Sequence, residues 1–221
     1  MYDIKKGENF LIQEIDLYKF ENELKKKNYK YIVGTDEAGR GPMAGPVVVA
    51  AVILPSDYII EGLNDSKKLS EKKRKILFDV IIKNAVEYKI EFIDVETVDN
   101  INVYQASKNG MINCIKAMKT PVDYILSDAI FLDIGIPCMD IIKGDSLSAS
   151  IGAASILAKV SRDRYMYEMA KIYPEYGFEK HKGYVTKYHL EMLEKYGPCE
   201  IHRKSFEPVQ KIIYRQTKLD I

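Results

Sequence analysis

Apolar and polar positions change period several times along the chain, and each change predicts a different element. Tyr31 to Thr35 and Val47 to Leu54 are short β-branched runs bounded by glycine and proline, as buried strands are. Val86 to Asp94 alternates apolar and polar residues and predicts a third strand. Between the last two, Ser70 and Glu71 open a run in which Ile76 and Val80, and separately Leu77, Ile81 and Ala85, recur every four residues. That spacing behind a capping serine predicts a helix. The short early connections make these strands an antiparallel meander.

The second half reads differently. Thr97 to Met118 is predicted as one amphipathic helix with Tyr104, Met111, Cys114, Ile115 and Met118 on a single face. Two short strand segments follow, "DYILSD" from Asp123 to Asp128 and "DIIKGD" from Asp140 to Asp145, and then a long helix from about Ser148. Helix alternating with strand implies parallel additions to the sheet, so the expected class is α/β, a mixed five-stranded sheet flanked by helices. Beyond Pro174, "TKYHLEMLEKYG" and "PVQKIIYRQTKL" have helical period and predict a small C-terminal lobe. Phe10, Leu11, Ile15, Leu17, Phe20 and Leu24 suggest an accessory N-terminal helix, to which no chemistry is assigned. The expected division is residues 1–28 as that helix, 29–175 as the core and 176–221 as the lobe, all within one catalytic domain.

Composition narrows the class. The longest apolar run, Val47 to Leu54, is far below the ~20 residues of a membrane span. The opening "MYDIKKGENFLIQEID" has no continuous apolar segment of a signal peptide, so a soluble, cytoplasmic protein is expected. Cys114, Cys138 and Cys199 lie far apart and form neither a CxxC pair nor a disulfide framework. Net charge is +1, yet Phe178 to Lys218 holds nine Lys/Arg against five Asp/Glu, and all three histidines. A cationic C-terminal part beside a more acidic remainder suits a surface that tracks phosphate.

The acids carry the chemistry. In "YIVGTDEAGRGPMAGPVVVAAVILP" the glycines and prolines explain a turn but leave Asp36 and Glu37 unexplained. Adjacent carboxylates beside apolar strands suffer desolvation and repulsion unless a cation lies between them. Neighbouring strand residues point to opposite faces, so the chain is expected to bend at Ala-Gly-Arg-Gly and swing Glu37 round. Asp128 ends its strand on the face of Tyr124 and Leu126, and Asp145 follows Gly144 just before a helix. Asp36, Glu37, Asp128 and Asp145 thus gather at the C-terminal ends of three neighbouring strands, where sites collect in such sheets. An all-oxygen set suits Mg2+ or Mn2+ and not zinc. Each acid has a structural alternative: a helix-dipole partner for Asp145, a turn residue for Asp128, an Asx-turn for Asp36. Asp133, Asp140 and Asp163 compete for the fourth place, and Asp163, between Arg162 and Arg164, is assigned to a surface ion pair.

Five segments resemble bacterial ribonuclease HII: "DEAGRGPMAGPVVVAAVIL" at 36–54, "NDSKKLSEKKR" at 64–74, "KGDSLSASIGAASILAKVSRDRYM" at 143–166, "HKGYVTK" at 181–187 and "HRKSFEPV" at 202–209. They occur in family order from about Tyr31 to Val209. The resemblance implies a ribonuclease H-like fold and endonucleolytic cleavage of RNA in RNA–DNA hybrids. It also implies cutting 5′ of single ribonucleotides in duplex DNA, with 3′-hydroxyl and 5′-phosphate ends. The family's acidic quartet falls on Asp36, Glu37, Asp128 and Asp145, with Mn2+ or Mg2+ as cofactor and two-metal hydrolysis as the expected mechanism. Gly39, Arg40 and Gly41 match the motif that contacts the ribose 2′-hydroxyl and adjacent phosphate. Tyr184 matches the tyrosine that stacks on the sugar beside the ribonucleotide; its alternative is a packed loop aromatic.

Departures are few. "LSDAIFLDIGIP" around Asp128 matches more loosely, and Gly152 stands where alanine is usual, at a helix-propensity cost of about 1 kcal/mol. The N-terminus is shorter than the extra substrate-binding domain of ribonuclease HIII requires. "QKIIYRQTKL" lacks the aromatic pair of a sliding-clamp peptide, so no such partner is expected, and the chain is taken as a monomer. Rival readings are another nuclease of the same fold, which gives no reason for the "GRG" element, and a non-catalytic hybrid-binding module, for which four acids near phosphate are unfavourable. A calcium-binding protein is excluded by the absence of a DxDxDG run.

Overall fold

β1 (Ile32–Ala38), β2 (Val47–Ile53) and β3 (Glu87–Ile93) pair antiparallel in succession in the computed structural model, which describes residues 16–63 and 66–219. β4 (Tyr124–Asp128) and β5 (Cys138–Ile141) add in parallel on the other side of β1, giving the order β3-β2-β1-β4-β5. The mixed sheet of the expected α/β class is present. α1 (Lys19–Lys26), α2 (Glu71–Asn84), α3 (Val95–Lys116) and α4 (Ala149–Ile172) surround it. α5 (Phe178–His181), α6 (Lys187–Tyr196) and α7 (Glu207–Leu219) follow.

The run "VVVAAVI" of β2 is apolar without alternation because both faces of the central strands are covered. Ala50 and Val52 pack with Leu77, Phe78 and Ile81 of α2 and with α4. Val47, Val49, Ala51 and Ile53 pack on the other face with Val98, Met111 and Cys114 of α3. α4 packs closely against the sheet, and its small buried residues Ala149, Ser150, Gly152, Ala153 and Ala154 permit this. The approach is closest at Gly34 of β1, where a Cβ would overlap the backbone of Ser150 and Ile151. That contact fixes β1, and the acids at its end, to the first turn of α4.

Four expectations are corrected. β1 does not end at Thr35 but continues in register with β2 through Asp36, Glu37 and Ala38. α3 is not one straight amphipathic helix: Asn102 adopts φ 64° and ψ 162°, and its Oδ1 accepts from the Tyr104 and Gln105 amides. This restarts the helix in a new phase and leaves Tyr104 exposed rather than buried. "DIIKGD" is a strand only to Ile141, because Lys143 turns left-handed and Asp145 falls in a 3-10 turn, Gly144–Ser146. Ile76 of α2 is exposed, and Leu77, Phe78 and Ile81 form the buried face. Of the predicted N-terminal helix, Phe10, Leu11 and Ile15 lie outside the described residues. No described helix is long and apolar enough to cross a membrane.

The C-terminal elements pack around Tyr176, Phe178 and the three histidines. From the β1–β2 loop, Ala44 packs with Tyr176 and Phe178, and Met43 packs in a second cluster with Leu193, Val209 and Ile212. His189 and His202 are fully buried and their Nε2 atoms lie 3.1 Å apart. One donates to the other, so they are packed neutral and add no charge to a phosphate-tracking surface. Burial pushes His189 down to about 3 and His202 to about 4, and pushes His181 down as well. Unfolded histidine titrates near 6.5, so the unfolded chain takes up protons first. The histidine contribution to stability is therefore complete above pH ~6.5 and is lost as pH falls toward ~4. Histidine NMR should find both rings neutral at about pH 5.5, where an exposed imidazole is mostly protonated. Titration of either ring near 6.5 in the folded protein would mean that this interior is open to water.

Candidate active site

The β1–β4 ladder ends with Thr35 opposite Ser127. The next residues, Asp36 and Asp128, therefore stand side by side on adjacent strands, on the face that carries Leu126 and α4. Asp36 is buried, and its Oδ1 accepts the Glu37 amide at 2.7 Å. Ser155 of α4 hydrogen-bonds its side chain and also meets Ser66 at 2.9 Å. Asp128 Oδ1 accepts the Gly144 amide at 2.7 Å, which ties it to the turn holding Asp145. Asp145 is buried, with Lys67 Nζ at 3.3 Å from its Oδ2.

Glu37 begins on the opposite face of β1, yet it lines the same cleft as Asp36. No bend precedes it. β1 runs three residues beyond its last pair with β4 at Thr35 and two beyond the level of Asp128, and from there the longer glutamate side chain reaches the cleft. Glu37 Oε1 accepts from Arg40 Nη1 at 3.3 Å, and its buried Oε2 has no partner among the described residues. The cleft, about 200 Å³, is also lined by Gly39, Gly41, Ser66, Lys67, Lys159, Arg162 and Tyr184. Tyr184 is 46% exposed on its rim, and a Cβ on Gly41 would sit 3.5 Å from its ring, so it is not a packed loop aromatic.

Electrostatics sets the chemistry. Burial, then repulsion by Glu37 and Asp128, holds the Asp36 carboxyl well above the usual carboxylate range. Burial raises Glu37 against the opposing pull of Arg40, and burial raises Asp128 against the Gly144 amide. Among the described residues no three acidic, histidine or cysteine side chains are already gathered tightly enough to enclose an ion. Each carboxylate instead faces its own partner: Ser155, Arg40, the Gly144 amide or Lys67. The donor set nonetheless fits a hard divalent cation: it is all oxygen, it carries excess negative charge, and Glu37 Oε2 is buried and unpartnered.

Asp36 and Glu37 line this cleft, whereas Asp128 and Asp145, like the competitors Asp133 and Asp140, are not among its lining residues; Asp128 is linked to it by its repulsion of Asp36, and Asp145 by its contact with Lys67. Asp163 is buried and pairs with Lys159 at 2.7 Å, not with its flanking arginines at the surface. Arg162 turns inward from α4 and donates to the carbonyls of Pro46, Ala44 and Lys182. Arg203 donates to those of Gly39, Arg40 and Gly45. Sequence reading missed both arginines, as well as Ser66, Lys67 and Ser155. Ser155 and Arg162 are one α4 residue pair seven apart, the spacing of one helix face, a signal that could have pointed to them.

The family model for ribonuclease HII matches residues 33–209. The chain belongs to the ribonuclease HII family. Ribonuclease HII of Bacillus cytotoxicus is 50% identical over 201 residues, covering 91% of this chain and 78% of the relative. Ribonuclease H2 of Pyrococcus horikoshii is 25% identical with a TM-score of 0.74, over 85% of this chain and 99% of that one. Ribonuclease HII of Archaeoglobus fulgidus, solved with PCNA, gives 25% and 0.68, over 82% and 96%. The enzyme is thus a divalent-metal-dependent endonuclease with ribonuclease H activity on RNA–DNA hybrids.

The raised carboxyl of Asp36 has a stability consequence. Its folded state prefers the proton, so in EDTA its contribution becomes less favourable as pH rises from the unfolded value through the folded one. Asp36→Asn keeps the acceptor for the Glu37 amide and removes the buried charge. In urea denaturation at neutral pH with EDTA it should be more stable than wild type by about 1–3 kcal/mol. Divalent cation should stabilise wild type but not this variant. Equal stability in EDTA would mean that water already screens the acids.

Proposed function

We propose that this ribonuclease HII cuts on the 5′ side of ribonucleotides in duplex DNA as well as in longer hybrids. The products carry 3′-hydroxyl and 5′-phosphate ends, and the activity serves ribonucleotide removal and RNA primer removal. Asp36, Glu37, Asp128 and Asp145 are the proposed ligands of two divalent ions, Mn2+ or Mg2+. The observation that carries this reading is the juxtaposition of Asp36 with Asp128 one step beyond the ladder, beside the unpartnered oxygen of Glu37. When bound, the ions supply an acidified water nucleophile and neutralise the leaving 3′ oxygen.

The chain's own residues do the rest. The Gly39-Arg40-Gly41 loop lies on the cleft wall next to Glu37, where the absence of side chains on the glycines lets backbone approach a sugar closely. A ribose 2′-hydroxyl placed there donates and accepts hydrogen bonds that a deoxyribose lacks. Arg40, with its side chain 44% exposed, offers a guanidinium to the adjacent phosphate. Tyr184 faces this loop across the cleft and presents a ring face for the neighbouring sugar. Lys67 and Lys159 supply positive charge for the backbone that follows.

A labelled DNA duplex with one ribonucleotide tests the reading. Metal-dependent cutting only 5′ of the ribonucleotide is expected, with none in an all-DNA control or in EDTA. Asp36→Asn and Asp128→Asn should each abolish turnover while hybrid binding persists or tightens, since a charge repelling phosphate is removed. Near-wild-type turnover in either would remove that residue from the ligand set. Arg40→Ala should erode discrimination between ribose and deoxyribose at the cut site; an equal loss on all substrates would reduce its role to phosphate neutralisation.

A further inference from the structure

α4 begins four residues after Asp145, and its first turn is completed from elsewhere in the chain. A helix start leaves its leading amides without intrahelical acceptors. Here the Ala149 amide donates to the Leu17 carbonyl at 2.8 Å and the Ser150 amide to Glu21 Oε1 at 2.9 Å. The Ile151 amide donates to the Ser148 hydroxyl at 3.3 Å. Glu21 Oε1 also accepts the hydroxyls of Ser148 at 2.6 Å and Ser150 at 2.5 Å. Glu21, Ser148 and Ser150 are all buried, and Glu21 Oε2 is buried without a partner. A carboxylate is thus held inside the protein for the sake of one helix end, where the positive pole of the helix offsets part of its desolvation.

That helix end holds the site together. The Ser148 amide donates to the Gly144 carbonyl at 2.9 Å, and the Gly144 amide is the donor on Asp128. A Cβ on Gly152 would lie 3.0 Å from the Asp145 carbonyl oxygen, so the turn carrying Asp145 rests directly on α4. A side chain at Gly152 would force that turn to give by a few tenths of an ångström. On the sheet side the same turn of α4 abuts Gly34, two residues before Asp36.

We infer that Glu21 is a positioning residue: from the N-terminal helix it caps α4 across the chain and thereby sets Asp145 and Asp128 relative to Asp36. The inference rests on the reading of these acids as metal ligands. It assigns to α1 a function in the catalytic site, although no residue of α1 lines the cleft.

The test uses the full chain and Mn2+ alone, with binding followed by the EPR signal of free Mn2+ well below the unfolding temperature. Amide hydrogen exchange over residues 144–152 is read in parallel. Glu21→Ala should weaken Mn2+ binding by about ten-fold, the lower end for outer-shell residues, and speed exchange in that segment. Glu21→Gln retains an accepting oxygen and should stay within about three-fold of wild type. If Glu21→Ala does not fold, Ser150→Ala removes a single donor and should weaken Mn2+ about two- to three-fold. A folded Glu21→Ala, or failing that Ser150→Ala, with wild-type Mn2+ affinity overturns the inference, even if its melting temperature falls. Wild-type protein that binds no Mn2+ would instead overturn the ligand assignment itself.

Discussion

Two buried arginines hold the loop between β1 and β2 in place, and much else depends on them. Arg162 from α4 and Arg203 from the segment before α7 direct their guanidinium groups at backbone carbonyls between residues 39 and 46. Burial lowers Arg162 to about 10, and burial with repulsion from Arg162 lowers Arg203 to about 9. Two like charges in one interior are tolerated because each fork is filled with carbonyl acceptors. The arrangement explains Gly39 as well: at φ 102° it adopts a conformation side chains rarely reach, and a Cβ would collide with Arg162. Loop, α4 and C-terminal lobe are thereby locked to one another.

The acids form the opposite kind of arrangement. Where the arginines are satisfied, the carboxylates are crowded and partly desolvated, and among the described residues they are answered by Ser155, Arg40, Lys67 and single amides. Folding places them against their own repulsion, which the hydrophobic sheet beneath them supports. A cation placed among them would gain from negative charge that burial has already brought together, and to enclose it the carboxylates would have to turn from their present partners. The same logic makes α1 relevant: a site built from acids that repel one another needs its backbone fixed from several sides.

Much of this was legible in local pattern. The β-branched runs predict the strands, Ser70 and Ser148 mark helix starts, and acids at or just beyond strand ends nominate the candidate site. Tyr104 was misplaced because helical spacing cannot register a single residue in left-handed conformation, as Asn102 is. Glu37 was expected to need a bend because alternation assumes neighbours on both sides of a strand. Asp163 was read as a surface ion pair because adjacency in sequence says nothing about which residue turns inward. The histidines were counted with the charges, and only their mutual packing makes them neutral.

The sequence by itself determined the family and the mixed five-stranded α/β sheet, and it nominated the acids, since these depend on residue type, period and motif. Only the tertiary structure decided which groups hold those residues in place. Glu21 lies 127 positions from Ser148, and Arg203 lies 164 from Gly39. Hydrogen bonds across such separations leave no periodic trace in the chain, because their geometry comes from how helices and strands pack rather than from local spacing.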